Sequence, residues 1–340
     1  TETFIFVFMN LVTGGTGLVG AHLLLHLAQK GESVRALYRS KSTIKKTENL
    51  FLINNARSLF QTIEWVEGDI IDIPSLENAF QGITHVYHCA AFISFDPKEE
   101  ELLRKRNIEG TANMVNCSLA FGVEKFCHVS SIAALGDLTK NEETITEQTE
   151  WNPEKPHSDY AISKFGAEME LWRAKEEGLN CICINPGVIL GPISKKSDWS
   201  TGSSEICSRI AKGMSFYANG STGFITVEDV VKTAIFLMKS PFSGERYTLI
   251  AENVKYKDLI DWIADNFGVR RPTFLVKPWM TTVAWRLDWL LTLILPIKRT
   301  LSRAMSKSMH SSELYSNSKI KAVLPFEFQS IQSYCSKIND

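Results

Sequence analysis

The sequence predicts an α/β protein with a doubly wound parallel sheet and a smaller C-terminal substrate-binding part. Short apolar segments alternate with segments of helical periodicity through the first half of the chain. The first apolar segment continues directly into a glycine-rich turn and a helix. Strict alternation of strand and helix is typical of parallel sheets that carry helices on both faces. No internal repeat or low-complexity linker divides the 340 residues.

The composition is that of an ordinary globular protein, with 44% hydrophobic and 22% charged residues. Lys plus Arg (37) nearly balance Asp plus Glu (38), so no global positive field recruits nucleic acid. The seven cysteines form no CxxC pair and no metal-ligand spacing, which indicates reduced thiols in a cytoplasm and no metal site. The apolar stretch Phe4–Val12 lacks a basic leader and a cleavage site, so we interpret it as a strand rather than a signal peptide.

The first strand, Met9–Thr13, leads into a turn that predicts a dinucleotide-binding site. Glycines follow the strand in a G-x-x-G-x-x-G spacing, and a helix runs on until Gly31. Glycine permits the tight turn and the close approach of a pyrophosphate, which then meets the N-terminus of the helix. The predicted cofactor contacts in this turn are Gly14, Thr16, Gly17, Leu18 and Val19.

The second strand, "SVRALYRS", distinguishes between the two nicotinamide dinucleotides. An NAD site usually ends this strand with Asp or Glu, which holds the ribose 2′-hydroxyl. This strand ends instead with Tyr38, Arg39, Ser40 and Lys41. A guanidinium binds a 2′-phosphate bidentately, so Arg39 favours NADP(H), while NAD(H) stays open. The alternative is a solvated basic loop without a ligand.

Four more strands are predicted, in "TIEWVEGDI", "HVYHCAAF", "KFCHVSSIAALG" and "NCICINPGVILGP". Asp69, at the end of the third strand, is expected to accept a hydrogen bond from the adenine amino group. Ile70 is expected to pack against the adenine ring. Ala90 and Ala91 after the fourth allow close approach of the cofactor. In the sixth, Cys181 and Cys183 are two residues apart, so they are expected to share one face of a buried strand. The predicted helices between these strands include Arg104–Phe121 and Ser158–Glu177.

A serine, a tyrosine and a lysine then form a candidate catalytic group. Ser130 and Ser131 end the fifth strand, at the edge of the sheet where ligands bind. Tyr160 and Lys164 are four residues apart and share a helix face. An ammonium about 4–5 Å from the phenol, at an effective dielectric constant near 20, contributes roughly 3–4 kcal/mol. We therefore expect Lys164 to lower the phenol pKa by about two to three units, which suits acid–base catalysis. The alternative is a chance surface pair.

These pieces together resemble an extended short-chain dehydrogenase/reductase of the NAD-dependent epimerase/dehydratase family. The matching motifs are "TGGTGLVG", "GDI", "HCAA", "NIEGT", "VSSIAALG", "YAISK" and "NPGVILGP", in the expected order over residues 11 to about 192. The resemblance implies that Ser131, rather than Ser130, binds the substrate oxygen. It also implies that Tyr160 transfers the proton, that Lys164 holds the nicotinamide ribose, and that Asn107 supports the site.

Within this family the chain resembles dihydroflavonol-4-reductase and related NADPH-dependent carbonyl reductases. The arginine and aromatic residue that usually precede the sixth-strand asparagine in sugar-nucleotide enzymes are missing from "CICINPGVILGP". The Pro186-Gly187-Val188 turn and the "VRALYR" strand fit the reductase branch instead. This resemblance implies cofactor contacts from Pro186, Val188 and a second cation, Lys46. It also implies dimerisation through helices of the sheet domain.

We predict a dinucleotide-binding domain over residues 1–187, to which "GFITVEDVV" returns the chain at about 224–250. Residues 188–340 then form mainly the substrate-binding part. This part holds, among other aromatic residues, Trp199, Phe216, Tyr217, Trp262, Trp279, Trp285 and Trp289.

One predicted helix in this part has a regular apolar stripe. Its members are Val283, Leu287, Leu290, Leu291 and Ile294, with Arg286 on another face. We expect this stripe to pack in the core or to form a pocket lid. A membrane-surface helix is the second interpretation, because "KRTLSRAMSK" follows directly. A transmembrane span is not expected, since the longest charge-free run, Trp289–Ile297, is far shorter than the ~20 residues needed.

The predicted function is an NADP(H)-dependent oxidoreductase that interconverts a ketone or aldehyde and an alcohol. The substrate is expected to be an apolar or aromatic small molecule, because aromatic residues are dense in the C-terminal part. One alternative is a nucleotide-sugar epimerase or dehydratase with tightly bound cofactor. A second alternative is a non-catalytic dinucleotide sensor. The cations available to a sugar diphosphate are Arg209, Lys212, Arg246, Arg270 and Arg271.

Overall fold

The structure, a computed structural model, describes residues 9–94, 96–192, 203–294 and 301–337. Three of the sequence predictions therefore fall wholly or partly outside the described residues: Trp199, the apolar residues before Met9, and Lys298 and Arg299 of the basic segment.

Strands and helices alternate along the described residues as predicted. The strands are β1 (Met9–Thr13), β2 (Ser33–Tyr38), β3 (Glu64–Glu67), β4 (His85–His88), β5 (Lys125–Val129), β6 (Cys181–Pro186), β7 (Val188–Leu190), β8 (Phe216–Tyr217), β9 (Ser221–Thr226), β10 (Glu245–Leu249), β11 (Glu252–Lys255) and β12 (Phe274–Leu275). The α-helices are α1 (Leu18–Gln29), α2 (Lys41–Ile53), α3 (Arg57–Phe60), α4 (Ile73–Ala79), α5 (Glu100–Leu103), α6 (Gly110–Ala120), α7 (Asp159–Glu176), α8 (Ser203–Ala211), α9 (Val227–Lys239), α10 (Tyr256–Asn266), α11 (Pro278–Ile294), α12 (Arg303–Ser308), α13 (Ser318–Lys321) and α14 (Ile331–Cys335).

A seven-stranded sheet in the order β10-β6-β5-β4-β1-β2-β3 forms the centre of the molecule, and every neighbouring pair is parallel. This confirms the predicted doubly wound fold, because the strand order reverses between β1 and β4. Ligands of such sheets bind beyond the carboxyl ends of the strands at the reversal. The glycine turn after β1 and the alanines after β4 therefore belong to one crevice.

Apolar side chains cover both faces of this sheet, and β6 shows why. Ile182 and Ile184 belong to one apolar cluster, together with α1 and α9. Cys181 and Cys183 belong to the other, together with α6 and α7. This confirms that the two cysteines share one face of a buried strand. All seven cysteines lie in the described residues, and all are free thiols.

The sixth predicted strand is divided by the structure into two strands of different sheets. β6 belongs to the central sheet, whereas β7 joins β9 and β11 in a three-stranded sheet. The division falls at Gly187, where an added Cβ would lie 2.3 Å from the carbonyl oxygen of Gly223. Only glycine permits this close approach of the two segments. The chain returns to the central sheet through α9 and β10.

The prediction that the apolar stripe of α11 packs in the core is wrong, and its alternative as a pocket lid stays a prediction. α11 exists, but Val283, Leu287, Leu290 and Leu291 are exposed rather than packed in the core. The side chain of Ile294 lies outside the described residues. Across the described ranges, none of the helices has the length and apolar character that crossing a membrane requires.

Candidate active site

The glycine turn between β1 and α1 has the shape that a pyrophosphate requires. Gly14 has a φ of +71°, and an added Cβ would lie 2.7 Å from the backbone nitrogen of Ala90. At Gly20 an added Cβ would lie 2.2 Å from the carbonyl oxygen of Gly14. α1 begins after Gly17, whose lack of a side chain leaves the first turn without a side-chain cap. The free N–H groups and the positive end of the helix dipole therefore suit an anion.

A cavity of about 240 Å³ lies at the switch point of the sheet. Eight predicted cofactor residues line it: Gly14, Thr16, Gly17, Arg39, Asp69, Ile70, Ala90 and Ala91. Seven predicted cofactor residues do not line it. Leu18 and Val19 pack partly against the core, Lys46 is half-buried on α2, Pro186 is buried at the end of β6, and Tyr160 and Lys164 lie on α7. Val188 begins β7, also outside the cavity wall.

Positive charge borders this cavity at two places. Arg39 is exposed at the wall of the cavity, and no carboxylate of the described residues pairs with it. Arg106 reaches the same cavity from a π-helical turn, with its Nη1 3.5 Å from Asp69 Oδ2. The sequence analysis missed Arg106. The feature of the sequence that could have indicated Arg106 is its position directly before Asn107 of the "NIEGT" motif.

Ser131 and Tyr160 come together at the carboxyl end of β5. Ser131 caps a short 3₁₀ turn, where its Oγ accepts a hydrogen bond from the Ala133 backbone nitrogen at 3.2 Å. The Tyr160 side chain, at the start of α7, hydrogen-bonds to the Ser131 side chain. Ser158 caps α7 by accepting from the Ala161 nitrogen at 3.1 Å, which sets where the helix begins.

Lys164 lies one turn after Tyr160 and is 2% exposed. Its Nζ donates to the carbonyl oxygen of Val129 at 2.9 Å, and burial lowers the pKa of its ammonium to about 8. Burial raises the pKa of Tyr160, and the hydrogen bond to Ser131 opposes that rise in part. The expectation that Lys164 sets the phenol pKa below its usual value is therefore wrong for this arrangement. Burial is the main cause of the raised phenol pKa, and the Lys164 ammonium donates to a backbone carbonyl instead.

A buried histidine, His88, connects the glycine turn to α6 beneath the cavity. Thr111 donates to the Asn107 carbonyl at 2.6 Å, so the Nε2 of His88, 3.2 Å from the Thr111 hydroxyl, has to be the donor there. The Nδ1 of the neutral ring then accepts from the Thr13 hydroxyl at 2.8 Å. Thr13 in turn accepts from the Ala90 nitrogen at 3.2 Å. These partners assign one neutral tautomer to His88.

The His88 environment opposes protonation. Burial, and secondarily the charge of Lys164, lower the pKa of His88 to about 3. His128 on β5 stacks against it with ring centroids 5.3 Å apart. Burial and then Lys164 hold the pKa of His128 well below its usual value. Two neutral imidazoles therefore lie beside the lysine of the candidate site.

Asn107, expected from the family resemblance to support the site, connects the cavity to α7. Its Oδ1 accepts from the Phe92 nitrogen at 2.7 Å, and its Nδ2 donates to the Ser163 hydroxyl at 2.9 Å. Ser163 donates to the carbonyl oxygen of Tyr160 at 2.8 Å. Asn107 lies in a π-helical turn, a feature frequent at functional sites.

Glu168 is a second residue that the sequence analysis missed. It lies one turn beyond Lys164 and is completely buried. Its carboxylate accepts from the Ser130 hydroxyl and the Asn185 amide, both at 2.5 Å, and lies 3.4 Å from Arg246. Asn185 also donates to the Ser131 carbonyl at 3.0 Å. Glu168 therefore ties the ends of β5 and β6 together next to Ser131. Its signal in the sequence was the spacing of four residues from Lys164.

The fold and the glycine turn define an enzyme of the extended short-chain dehydrogenase/reductase class, whose cofactor is a nicotinamide dinucleotide. A sequence model of the NAD dependent epimerase/dehydratase family matches residues 10–250, and the chain belongs to that family. The expected family and enzyme class, an NAD(P)-dependent oxidoreductase, are thereby confirmed.

Similar proteins include several named as reductases. A Synechocystis protein named "Putative dihydroflavonol 4-reductase" is 32% identical over 89% of this chain and 85% of its own length. Anthocyanidin reductase of Arabidopsis thaliana is 27% identical over 75% of this chain and 79% of its own length. The crystal structure of gox2253 is 27% identical, with a TM-score of 0.78 over 96% of both chains. UDP-glucose 4-epimerase of Thermotoga maritima, at 20% identity and a TM-score of 0.75 over 97% of this chain and 96% of its own, shares the fold.

Proposed function

We propose that this protein is an NADP(H)-dependent carbonyl reductase that uses Ser131, Tyr160 and Lys164. The observation that supports this most directly is the hydrogen bond between the Tyr160 and Ser131 side chains at the carboxyl end of β5, one turn before the buried Lys164. The hydroxyls of a substrate-binding serine and a proton-donating tyrosine have to meet at one carbonyl oxygen for this chemistry.

Bound nicotinamide would supply or accept the hydride at its C4 position. The chain itself supplies the oxygen site and the proton. Ser131 donates a hydrogen bond to the carbonyl oxygen, and Tyr160 transfers its phenolic proton to the alkoxide that forms there. Because burial raises the pKa of Tyr160, the phenol stays protonated at neutral pH, which is the state required for reduction. Alcohol oxidation needs the phenolate, so its rate should rise with pH while the rate of reduction does not.

Replacement of Tyr160 tests this role directly. Tyr160→Phe should leave dinucleotide binding nearly intact and lower kcat by roughly 10²- to 10⁴-fold, the usual contribution of a general acid. Tyr247→Phe on β10, a buried tyrosine of the sheet core, is the matched control and should keep near-normal kcat. A Tyr160→Phe enzyme with near-normal kcat would show that another group transfers the proton.

The proposed preference for NADP(H) depends on the carboxyl end of β2. Arg39 lines the cavity without a carboxylate partner among the described residues, and the Ser40 hydroxyl is not used to cap α2. A 2′-phosphate there would meet a guanidinium, a hydroxyl and a helix N-terminus, with Lys46 further along α2. Arg39→Asp should reverse the preference toward NADH, as measured by isothermal titration. Equal affinity of the unmutated protein for NADH and NADPH would contradict this part of the proposal.

The proposed substrate is an apolar or aromatic carbonyl compound, bound by the part of the chain from residue 188 onward. Two of the five cations considered for a sugar diphosphate are already engaged. Arg246 donates to the Glu147 carbonyl and lies beside the buried Glu168, and Arg271 pairs with Asp265 at 2.6 Å. The reductase names of the relatives support the same choice over an epimerase.

A substrate screen separates the proposal from its alternatives. Aryl ketones should oxidise NADPH in the presence of the protein. The reaction is monitored as the decrease in NADPH absorbance. Micromolar affinity for a UDP-sugar, with cofactor that stays bound through turnover, would instead support the epimerase. Dinucleotide binding without turnover of either class would support a sensor.

We also propose a cytoplasmic location and a homodimer. The seven free thiols support a reducing compartment. The dimer is an expectation from the family resemblance, and light scattering of the purified protein measures it.

A further inference from the structure

Helix α11 exposes its apolar face to solvent, whereas an ordinary surface helix exposes its polar face. Two of its polar residues face the protein: the buried Thr281 hydroxyl lies 3.0 Å from His310 Nε2, and Asp288 accepts from the Leu301 nitrogen at 3.2 Å. Its large apolar residues face outward. These are Trp279, Val283, Leu287, Trp289, Leu290 and Leu291, each 46–62% exposed. A surface helix normally places its apolar stripe against the core.

Five of these six exposed residues form one continuous face, and Trp289 lies about 80° beyond its edge. At about 100° per residue, Trp279, Val283, Leu287, Leu290 and Leu291 lie within an arc of about 120°. Such a contiguous apolar surface is rare on a soluble monomer and marks a contact with an apolar partner.

The charges around this face are positive. Residues 277–307 contain six Lys or Arg and one Asp, in a chain of net charge −1. Of these, Arg286 is exposed at the edge of the apolar arc, with its guanidinium 4.8 Å from the Trp285 ring centroid. Arg303 and Lys307 are exposed on α12, which packs against α11. The single acid, Asp288, faces inward and is hydrogen-bonded.

The aromatic residues and the length of α11 agree with a position at a membrane surface. Three of the eight tryptophans of the chain lie between residues 279 and 289. Tryptophan is enriched at the boundary between lipid headgroups and acyl chains. The 17 described residues of α11 include the charged Arg286 and Asp288, and no helix of the described ranges is long and apolar enough to span a bilayer, so α11 would lie in the interface.

We propose that α11 docks on an anionic membrane surface, with its apolar arc at the acyl boundary and the exposed Lys277, Arg286, Arg303 and Lys307 at the lipid phosphates. A second copy of the chain is the less suitable partner, because a symmetric contact would bring two positively charged segments together. This inference is independent of the proposed reaction.

Flotation of the full-length protein with lipid vesicles tests the docking surface. The protein should float with vesicles that contain phosphatidylglycerol, more weakly with phosphatidylcholine alone, and less at high salt. Leu287→Ser/Leu291→Ser should weaken this binding at least tenfold, because it removes apolar side chains from the buried face. The matched control, Leu52→Ser/Ile53→Ser, removes two exposed apolar residues of α2 and should bind like the unmutated protein.

Arg303→Gln/Lys307→Gln tests the electrostatic part. Each lost cation should weaken binding to anionic vesicles roughly fivefold and reduce the salt dependence. Circular dichroism of each variant establishes that it is folded. Failure to float, or equal flotation of Leu287→Ser/Leu291→Ser and the unmutated protein, would overturn the proposal. A lipid-free dimer that Leu287→Ser/Leu291→Ser dissociates would assign the face to a second copy and overturn it as well.

Discussion

Replacement of His88 offers a direct measure of how the buried layer beneath the cavity is built. The structure assigns His88 a neutral ring held between Thr13 and Thr111. An unfolded histidine has a pKa near 6.5, whereas burial and the charge of Lys164 lower the pKa of folded His88 to about 3. Below pH 6.5 the unfolded chain therefore binds a proton at this site that the folded protein does not.

The sign and the size of the effect follow from this difference. The stabilising contribution of the neutral His88 is complete above pH 6.5 and is lost progressively as the pH falls toward 3. Between pH 7.5 and 5.5 this histidine becomes mostly protonated in the unfolded state and stays neutral in the folded state. The free energy of unfolding should therefore fall by roughly 1.4 kcal/mol because of His88. Carboxylates elsewhere add their own pH dependence to the unfolding free energy. A variant that lacks only the His88 ring has the same carboxylates, so their contribution cancels in the comparison.

The assay is urea unfolding followed by tryptophan fluorescence at both pH values. His88→Gln removes the titrating ring, so its loss of stability between pH 7.5 and 5.5 should be smaller than that of the unmutated protein by roughly 1.4 kcal/mol. The comparison cancels the cost of the lost hydrogen bonds, which is present at both pH values. His128→Leu should give a similar difference, since burial lowers its pKa too. Identical pH dependence in His88→Gln and the unmutated protein would refute the neutral buried ring.

Two further substitutions test the packing around the site. Glu168→Ala leaves the Ser130 hydroxyl and the Asn185 amide without their buried acceptor and should destabilise the fold by roughly 3 kcal/mol, whereas Glu168→Gln keeps an acceptor oxygen and should cost much less in the same urea assay. Gly20→Ala should weaken dinucleotide affinity at least roughly tenfold, because its Cβ has no room against the glycine turn. The control Gly82→Ala, with a φ of +71° but open space, should cost about 1 kcal/mol of stability and leave affinity unchanged; equal affinities for both variants would contradict this account.

Features set by neighbouring residues were predictable from the sequence. The strand–turn–helix at β1 depends on glycine spacing and on apolar residues only a few positions away. The shared face of Tyr160 and Lys164 follows from helix periodicity, and the cap at Ser158 follows the preference of serine for that position. The alternation of Cys181 and Cys183 follows from the two-residue period of a strand.

Features that depend on which elements meet were not predictable. The division at Gly187 depends on the backbone of Gly223, which is 36 positions away. The entry of Arg106 into the cavity depends on how the π-helical turn packs against α7 and places Arg106 beside Asp69. The raised pKa of Tyr160 depends on burial by surrounding elements.

The sequence by itself determined the alternation of strands and helices, the glycine turn and the family, because each is encoded by short spacings along the chain. Only the tertiary structure decided that Glu168 joins the ends of β5 and β6, that His88 is neutral, and that α11 turns its apolar face outward. A helical pattern states which residues share a face but not what that face contacts. Burial, and with it charge state and exposure, is set by the packing of distant segments.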